Sequence, residues 1–326
     1  MTSVAKSSSS SVGEVLQLLV LFAAWYGFNA GYNVTNAHLK VFAFPITISA
    51  LQLVVGLVYA LPLWILGIRP PPKLTFNDLI KLFPVAALNA IGHTVTVIAM
   101  FQKGGGSFAH VIKASEPVVS VLLGLVVNGA VPKPFTALAL LPVSYGVAYA
   151  STLGNLSVAS MSKELTSVTA IFAMIGNVSF ALRSILRKNL PADFKKRTNL
   201  TPANDHGVIT IYSFILTVPF IFLYDDVGKM SDAYHSLALR GLDQSFLINL
   251  FICGMCFYIY NEMQNIVLGS LGPVTTAVGN TLKRVAIFMA LYFFTEGEVF
   301  PPAKIFGCAI AILGCLIYAI CDSYKI

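Results

Sequence analysis

Apolar residues gather in long runs that exceed one face of a helix, and short polar or proline-bearing stretches part them. A helix that is apolar all round is buried in a large core or in lipid. About 20 apolar residues cross the ~30 Å hydrocarbon layer of a bilayer. The runs predict ten helices, near 15–37, 43–67, 78–101, 107–128, 134–152, 165–187, 206–224, 245–267, 273–294 and 303–321. Backbone amides in lipid must be satisfied within their own segment, which selects helices over strands. The expected fold class is an all-α integral membrane protein with ten transmembrane helices. Two connections, 189–205 and 225–244, are long and polar and are expected to be solvated loops, with Phe194-Lys195-Lys196-Arg197 in the first.

Composition agrees with the pattern. Of 326 residues, 56% are hydrophobic and 11% charged, whereas about a quarter of a soluble domain is charged. A lipid bilayer is therefore the expected surrounding, and a single membrane domain is expected rather than an anchor joined to a soluble enzyme. The net charge of +7 finds no basic soluble face, so nucleic acid is not an expected partner. Residues 1–13, through Ser7–Ser11, are polar, expected to be flexible and too few for a transit peptide; no cleavable signal is apparent. Cys253 and Cys256 form a C-x-x-C, but the pair lies inside an apolar helix without a second pair, so no metal is expected.

Ten helices place both termini on one side. Eleven basic residues, among them Arg69, Arg187, Lys195, Lys196 and Arg197, fall on that side, and six, among them Lys103 and Lys304, on the other. The positive-inside rule then turns the termini toward a cytosol-like compartment. The remaining four cations, Lys113, Arg183, Lys283 and Arg284, fall inside helices.

A weak repeat divides the chain. Val118–Gly124, then Asn128-Gly129 and Pro132-Lys133-Pro134, lead into a glycine-bearing apolar helix. Val285–Ala290, then Glu296-Gly297 and Pro301-Pro302, lead into another. Residues 14–153 and 164–322 are thus expected to be two five-helix repeats. Five helices per half give the halves opposite orientation, as in secondary transporters, whose substrate sites lie near the midplane between the halves.

Charges at bilayer depth cost several kcal/mol unless paired or solvated. His110, Lys113 and Glu116 share a spacing of three on the fourth helix, and Asn280, Lys283 and Arg284 lie on the ninth. Arg183 lies on the sixth, Tyr260-Asn261-Glu262 on the eighth, and His93, Thr94 and Thr96 on the third. Four cations thus face two carboxylates, Glu116 and Glu262. A structural salt-bridge cluster leaves two cations over, which a dianion such as a phosphate monoester would neutralise, Arg by its planar fork and Lys as a point charge. Glu116 is expected to hold Lys113 or a helix end, Glu262 to pair with a cation of the ninth helix, and Arg183 either to join the site or to form a salt bridge at a membrane face. Asn33, Asn155, Asn177 and Asn199 begin N-x-S/T patterns that read as accidental in or near a membrane.

Gly92-His93, then Ser107-Phe108-Ala109-His110-Val111-Ile112-Lys113-Ala114-Ser115-Glu116-Pro117, resembles the helix 3–4 signature of the plastidic phosphate translocators of the drug/metabolite transporter superfamily. Asn177-Val178-Ser179-Phe180 with Arg183-Ser184-Ile185 resembles their helix 6. Tyr260-Asn261-Glu262 and Gly279-Asn280-Thr281-Leu282-Lys283-Arg284 resemble helices 8 and 9. The resemblance implies an obligatory antiporter that exchanges inorganic phosphate for triose phosphate, 3-phosphoglycerate or another sugar phosphate, without a cofactor, in a plastid envelope of chloroplast or apicoplast type. It implies that Lys113, Lys283 and Arg284 hold the phosphate, that Thr96 and Tyr260 complete its shell, and that His93 and Arg183 attend to the rest of the substrate. It further implies triose- or hexose-phosphate types over phosphoenolpyruvate types. Gln102-Lys103-Gly104-Gly105-Gly106, a long helix 6–7 loop and Glu262 depart from the family pattern. The alternative is a nucleotide-sugar transporter of the same fold in the Golgi or endoplasmic reticulum. No nucleophile–base set, metal triad or Gly-rich phosphate loop supports an enzyme, and a monomer or homodimer is expected.

Overall fold

The computed structural model describes residues 12–324 except 104, 130, 297 and 298, with side chains described except at 12–18, 268–278, 281, 323 and 324. Residues 1–11 of the segment expected to be flexible, and Gly104 of the helix 3–4 turn, lie outside the described residues. All regular structure among the described residues is helical. The helices are α1 (Val12–His38), α2 (Pro45–Ile65), α3 (Phe76–Phe101), α4 (Gly105–Lys113), α5 (Glu116–Asn128), α6 (Pro134–Leu138), α7 (Leu140–Ser151), α8 (Val158–Leu165), α9 (Val168–Lys188), α10 (Ala192–Arg197), α11 (Pro202–Tyr224), α12 (Val227–Leu239), α13 (Asp243–Phe294) and α14 (Pro302–Tyr324).

Among the described residues six stretches are long and apolar enough to cross a membrane: α2, α3, α9, α11, Asp243–Val267 of α13, and most of α14. The pair α4–α5, bent by 43°, makes a seventh. Three expectations change. The helix at 107–128 is broken at Ala114-Ser115, where Pro117 stands one residue into α5 and lacks the amide needed to continue α4. The helix at 134–152 divides into α6 and α7. The two long connections are not plain loops, for they hold α10 and α12. Phe194 of α10 is buried, and Arg197 donates to both oxygens of Asp78 at 2.6 and 3.1 Å. Asp226 caps α12 by accepting the Lys229 amide at 3.2 Å.

The stretches expected as helices eight and nine form one helical run of 52 residues. Straight, it would extend about 78 Å at 1.5 Å per residue, well beyond a bilayer. Yet Lys283 Nζ donates to Gln264 Oε1 at 3.1 Å across 19 residues, which a straight helix would hold about 28 Å apart. The run therefore turns back between these residues and forms two arms. Both arms pack on α1: Cys256 lies against Gly31, and Gly279 against Trp25 and Phe22. Elsewhere α3 packs on α9, α2 on α11 and on the first arm of α13, and α7 on α14. Small residues set that last distance. A Cβ on Gly146 would lie 2.4 Å from the Ala311 amide nitrogen, and one on Gly307 would lie 2.5 Å from that of Ala150, so the two backbones touch, as small residues permit in membranes.

Candidate functional site

The break between α4 and α5 organises the centre. Lys113 ends α4, whose carbonyl end favours a cation, and Glu116 begins α5, whose amide end favours an anion. The two charges then diverge. Lys113 Nζ donates to Thr96 Oγ1 at 3.3 Å and lies 4.6 Å from the centre of the Phe180 ring. Glu116 Oε2 accepts from Arg284 Nη2 at 3.0 Å. Glu116 thus stands at a helix end, one of the two places expected for it, and its carboxylate holds Arg284 rather than Lys113, because the 43° bend turns the α5 face away from α4.

All seven residues singled out in the sequence, His93, Thr96, Lys113, Arg183, Tyr260, Lys283 and Arg284, line one cavity of about 110 Å³. Lys283 Nζ lies 5.5 Å from the Trp25 ring and 5.8 Å from the Tyr260 ring. Arg183 donates to Asn89 Oδ1 at 2.5 Å, and its guanidinium carbon lies 4.9 Å from the Phe180 ring. The salt bridge considered for Arg183 is made one turn later, where Arg187 pairs with Asp205. His93 is stacked on Phe257 at 4.1 Å between ring centres, with its Nε2 buried and lacking a hydrogen-bond partner among the described residues; Arg183 Nε is in the same state. His110 also lines the cavity, its Nε2 2.6 Å from Asn33 Oδ1.

Glu262 does not belong to this constellation. It is 1% exposed and receives a two-pronged hydrogen bond from Arg69, at 2.6 and 3.1 Å. The expected pairing with the second arm of α13 is thereby corrected. Glu116 is the one carboxylate lining the cavity among the described residues. The cationic surplus is larger than the sequence count implied: four cations share one carboxylate.

Sequence reasoning missed several neighbours. Trp25, Gln264, Asn89 and Asn29 are uncharged, so nothing set them apart from other helical positions. Asn29, Asn33 and Asn36 do recur at helical spacing, a polar stripe on an apolar helix that could have been read. Asn33 and Asn177 are each 1% exposed; Asn177 donates to the Ile112 carbonyl and Ser115 Oγ, both at 3.2 Å, and so braces the α4–α5 break. Cys253 and Cys256 pack against α1 and α2, with Gln52 donating to Cys253 Sγ at 3.3 Å.

Known proteins are similar to this chain along most of its length. The phosphoenolpyruvate/phosphate translocator 1, chloroplastic, of Oryza sativa subsp. japonica is 36% identical over 310 residues, covering 94% of this chain and 72% of its own. The triose phosphate/phosphate translocator, chloroplastic, of Zea mays is 33% identical over 301 residues, covering 91% and 69%. The triose phosphate/phosphate translocator, non-green plastid, chloroplastic, of Brassica oleracea var. botrytis is 31% identical over 312 residues, covering 95% and 74%. One crystal structure superposes with a TM-score of 0.52 at 15% identity, covering 91% of this chain and 97% of its own, a likeness of fold alone. The model of the Triose-phosphate Transporter family matches residues 16–319. The chain belongs to the Triose-phosphate Transporter family.

Proposed function

We propose that the protein is an obligatory antiporter of a plastid envelope membrane, exchanging inorganic phosphate for a phosphorylated C3 compound, triose phosphate or 3-phosphoglycerate, by alternating access. The observation that carries the reading is the cavity lined by Lys113, Arg183, Lys283 and Arg284 with Glu116 as its described carboxylate. Lys113 and Arg183 both approach the Phe180 ring, so their charges lie at most about 9.5 Å apart, the sum of 4.6 and 4.9 Å. At an effective dielectric of about 20 that separation costs at least ~1.7 kcal/mol of repulsion. A dianion reverses the sign of the interaction. In this reading Lys113, Lys283 and Arg284 hold the phosphoryl group, Thr96 and Tyr260 complete its shell, and His93 Nε2 and Arg183 address the rest of the molecule. Relatives named for phosphoenolpyruvate, triose phosphate, xylulose 5-phosphate and glucose-6-phosphate make those compounds the competitors to test.

For the transport cycle we take 14–153 and 164–322 as two five-helix repeats, with α4–α5 and α6–α7 each counted as one spanning unit and α13 as two. The packing supports this. Moving five places along that order turns the α3–α9 contact into the contact between α1 and the first arm of α13, and exchanges the partners in α2–α11 and α7–α14. Such two-fold packing is what rocking of one half against the other requires.

Purified protein in liposomes tests the reading. Labelled phosphate should enter only when phosphate or a phosphorylated C3 compound is inside, and Lys283→Ala should abolish exchange. Uptake into empty liposomes refutes obligatory exchange, normal exchange by Lys283→Ala removes Lys283 from the site, and inhibition by nucleotide sugar but not by phosphate marks the alternative.

A further inference from the structure

The central cavity has a side recess. Asn89, Arg183, His206, Asn261 and Gln264 line both the cavity and a smaller space of about 20 Å³. The recess ends at the paired Arg187 and Asp205. Arg187 also donates to Asn265 Oδ1 at 3.0 Å, so the groups of the far wall hold one another. A water occupies roughly 10–15 Å³ of such space, so the recess admits one water or one hydroxyl group.

The near wall is not satisfied in this way. His206, near the start of α11, is 9% exposed, and its Nε2 is buried without a hydrogen-bond partner among the described residues. Arg183 donates through Nη1 to Asn89 Oδ1, but its Nε is likewise buried and without a partner there. The His206 ring lies 4.6 Å from the Tyr258 ring and hydrogen-bonds the Tyr258 backbone. A backbone carbonyl only accepts, so the ring proton stands on Nδ1 and Nε2 keeps its lone pair. A third positive charge beside Arg183 and Arg187 would meet repulsion, and the ring is neutral.

The recess thus holds one unpaired donor, Arg183 Nε, and one unpaired acceptor, His206 Nε2. Buried polar atoms are costly when left unpaired. A hydroxyl both donates and accepts, so a single hydroxyl satisfies the two at once. Gln264 ties the recess to the cationic part of the cavity: its Oε1 accepts from Lys283 at 3.1 Å, and the same side chain lines the recess. A short carbon chain with a phosphoryl group at one end therefore has its hydroxyls beside His206.

We propose that His206 is a specificity-determining residue: with Arg183 it takes a hydroxyl of the substrate's carbon chain into this recess, and so selects hydroxyl-bearing phosphates over phosphoenolpyruvate, which has no hydroxyl. The inference rests on the phosphate reading of the central cavity. Similarity does not make this choice, for relatives named for phosphoenolpyruvate and for triose phosphate match the chain at 36% and 33% identity.

The test uses the full chain in liposomes and two competitors of labelled phosphate exchange, 3-hydroxypropyl phosphate and propyl phosphate. They share the phosphoryl group and the three-carbon chain and differ in one hydroxyl. A site that bonds a hydroxyl strongly rejects the analogue without it, and the hydroxyl compound should inhibit wild-type exchange at a concentration at least about ten-fold lower. His206→Leu should bring that ratio to about one, and His206→Gln, which keeps an acceptor oxygen, should retain most of it. A defect in folding or turnover acts on both competitors and cancels in the ratio. Thermal unfolding of the wild type in detergent with each compound reads the same preference without any variant. Equal potency of the two compounds on the wild type, the result for a recess that takes only water, overturns the proposal, as does a ratio that His206→Leu leaves unchanged; either leaves the phosphate reading standing. A wild type that exchanges no phosphate would instead overturn the central reading.

Discussion

Glu116 occupies Arg284 in the structure, which in the proposed reading makes it an internal competitor for phosphate. The contact is a charged hydrogen bond of 3.0 Å between side chains 44% and 9% exposed. Hydrogen bonds to charged groups contribute about 1.5–3 kcal/mol, and exposed ion pairs about 0.2–1 kcal/mol. A pair with one buried and one half-exposed member falls between, at roughly 1–1.5 kcal/mol. Glu116→Gln keeps an oxygen for Arg284 and removes the negative charge. The freed attraction should then pass to the substrate, tightening phosphate binding by about five- to ten-fold at 1.4 kcal/mol per factor of ten. The half-saturating concentration for phosphate–phosphate exchange should fall by that factor. Maximal exchange should fall as well, since affinity changes act mainly on dissociation. Thermal unfolding gives an independent reading. At a phosphate concentration equal to the wild-type Kd, ligand stabilisation should rise from ~0.4 to ~1.4 kcal/mol for a ten-fold gain in affinity. A raised half-saturating concentration with unchanged maximal rate would refute the reasoning and make Glu116 a positioning residue for Arg284.

Two further variants test the scaffold. Glu262→Gln leaves Arg69 without its carboxylate; removing one partner of a buried pair costs about 3–5 kcal/mol, and the 20% exposure of Arg69 lowers this to roughly 2–4 kcal/mol. The loss should appear in thermal unfolding in detergent, and Arg69→Met with Glu262→Met should recover most of it; wild-type stability of the single variant would show the pair to be idle. Gly146→Leu forces α7 and α14 apart, because even a Cβ there meets the Ala311 backbone at 2.4 Å where 3.4–4 Å is ordinary contact. It should cost at least the ~1–3 kcal/mol typical of overpacking, and an unchanged unfolding temperature would refute the close approach.

What was legible in the sequence was what a single helix declares by itself. A cation inside an apolar run is costly wherever the neighbouring helices lie, so Lys113, Arg183, Lys283 and Arg284 stood out without a structure. Their common cavity was inferred from the charge surplus and the repeat. Pairings across hundreds of residues carry no local mark, and this is where the reading erred. Glu262 sits two residues from Tyr260 and so looked like part of the site, yet it points to Arg69, 193 residues away in the chain. Lys304 stood at the start of an apolar run and looked like a membrane-edge lysine, whereas the surrounding Ser107, Val299 and Phe300 bury it. The break in α4–α5 had a signal in Pro117, whose ring constrains Glu116 before it, but the hydrophobic run continued through it.

The break matters for coupling as much as for placement. A continuous helix would carry Lys113 and Glu116 on one face and let them neutralise each other. The 43° bend sends Lys113 to Thr96 and Phe180 and Glu116 to Arg284. Lys113 and Lys283 are then held by neutral partners, a hydroxyl, an amide and aromatic faces. Such partners hold a cation less strongly than a carboxylate does, so closing an empty cavity around these charges leaves most of their repulsion in place. A bound phosphate removes that cost on whichever side it arrives. In the proposed reading the empty carrier is thereby kept from crossing while the loaded one is free to do so, which is the physical content of strict exchange.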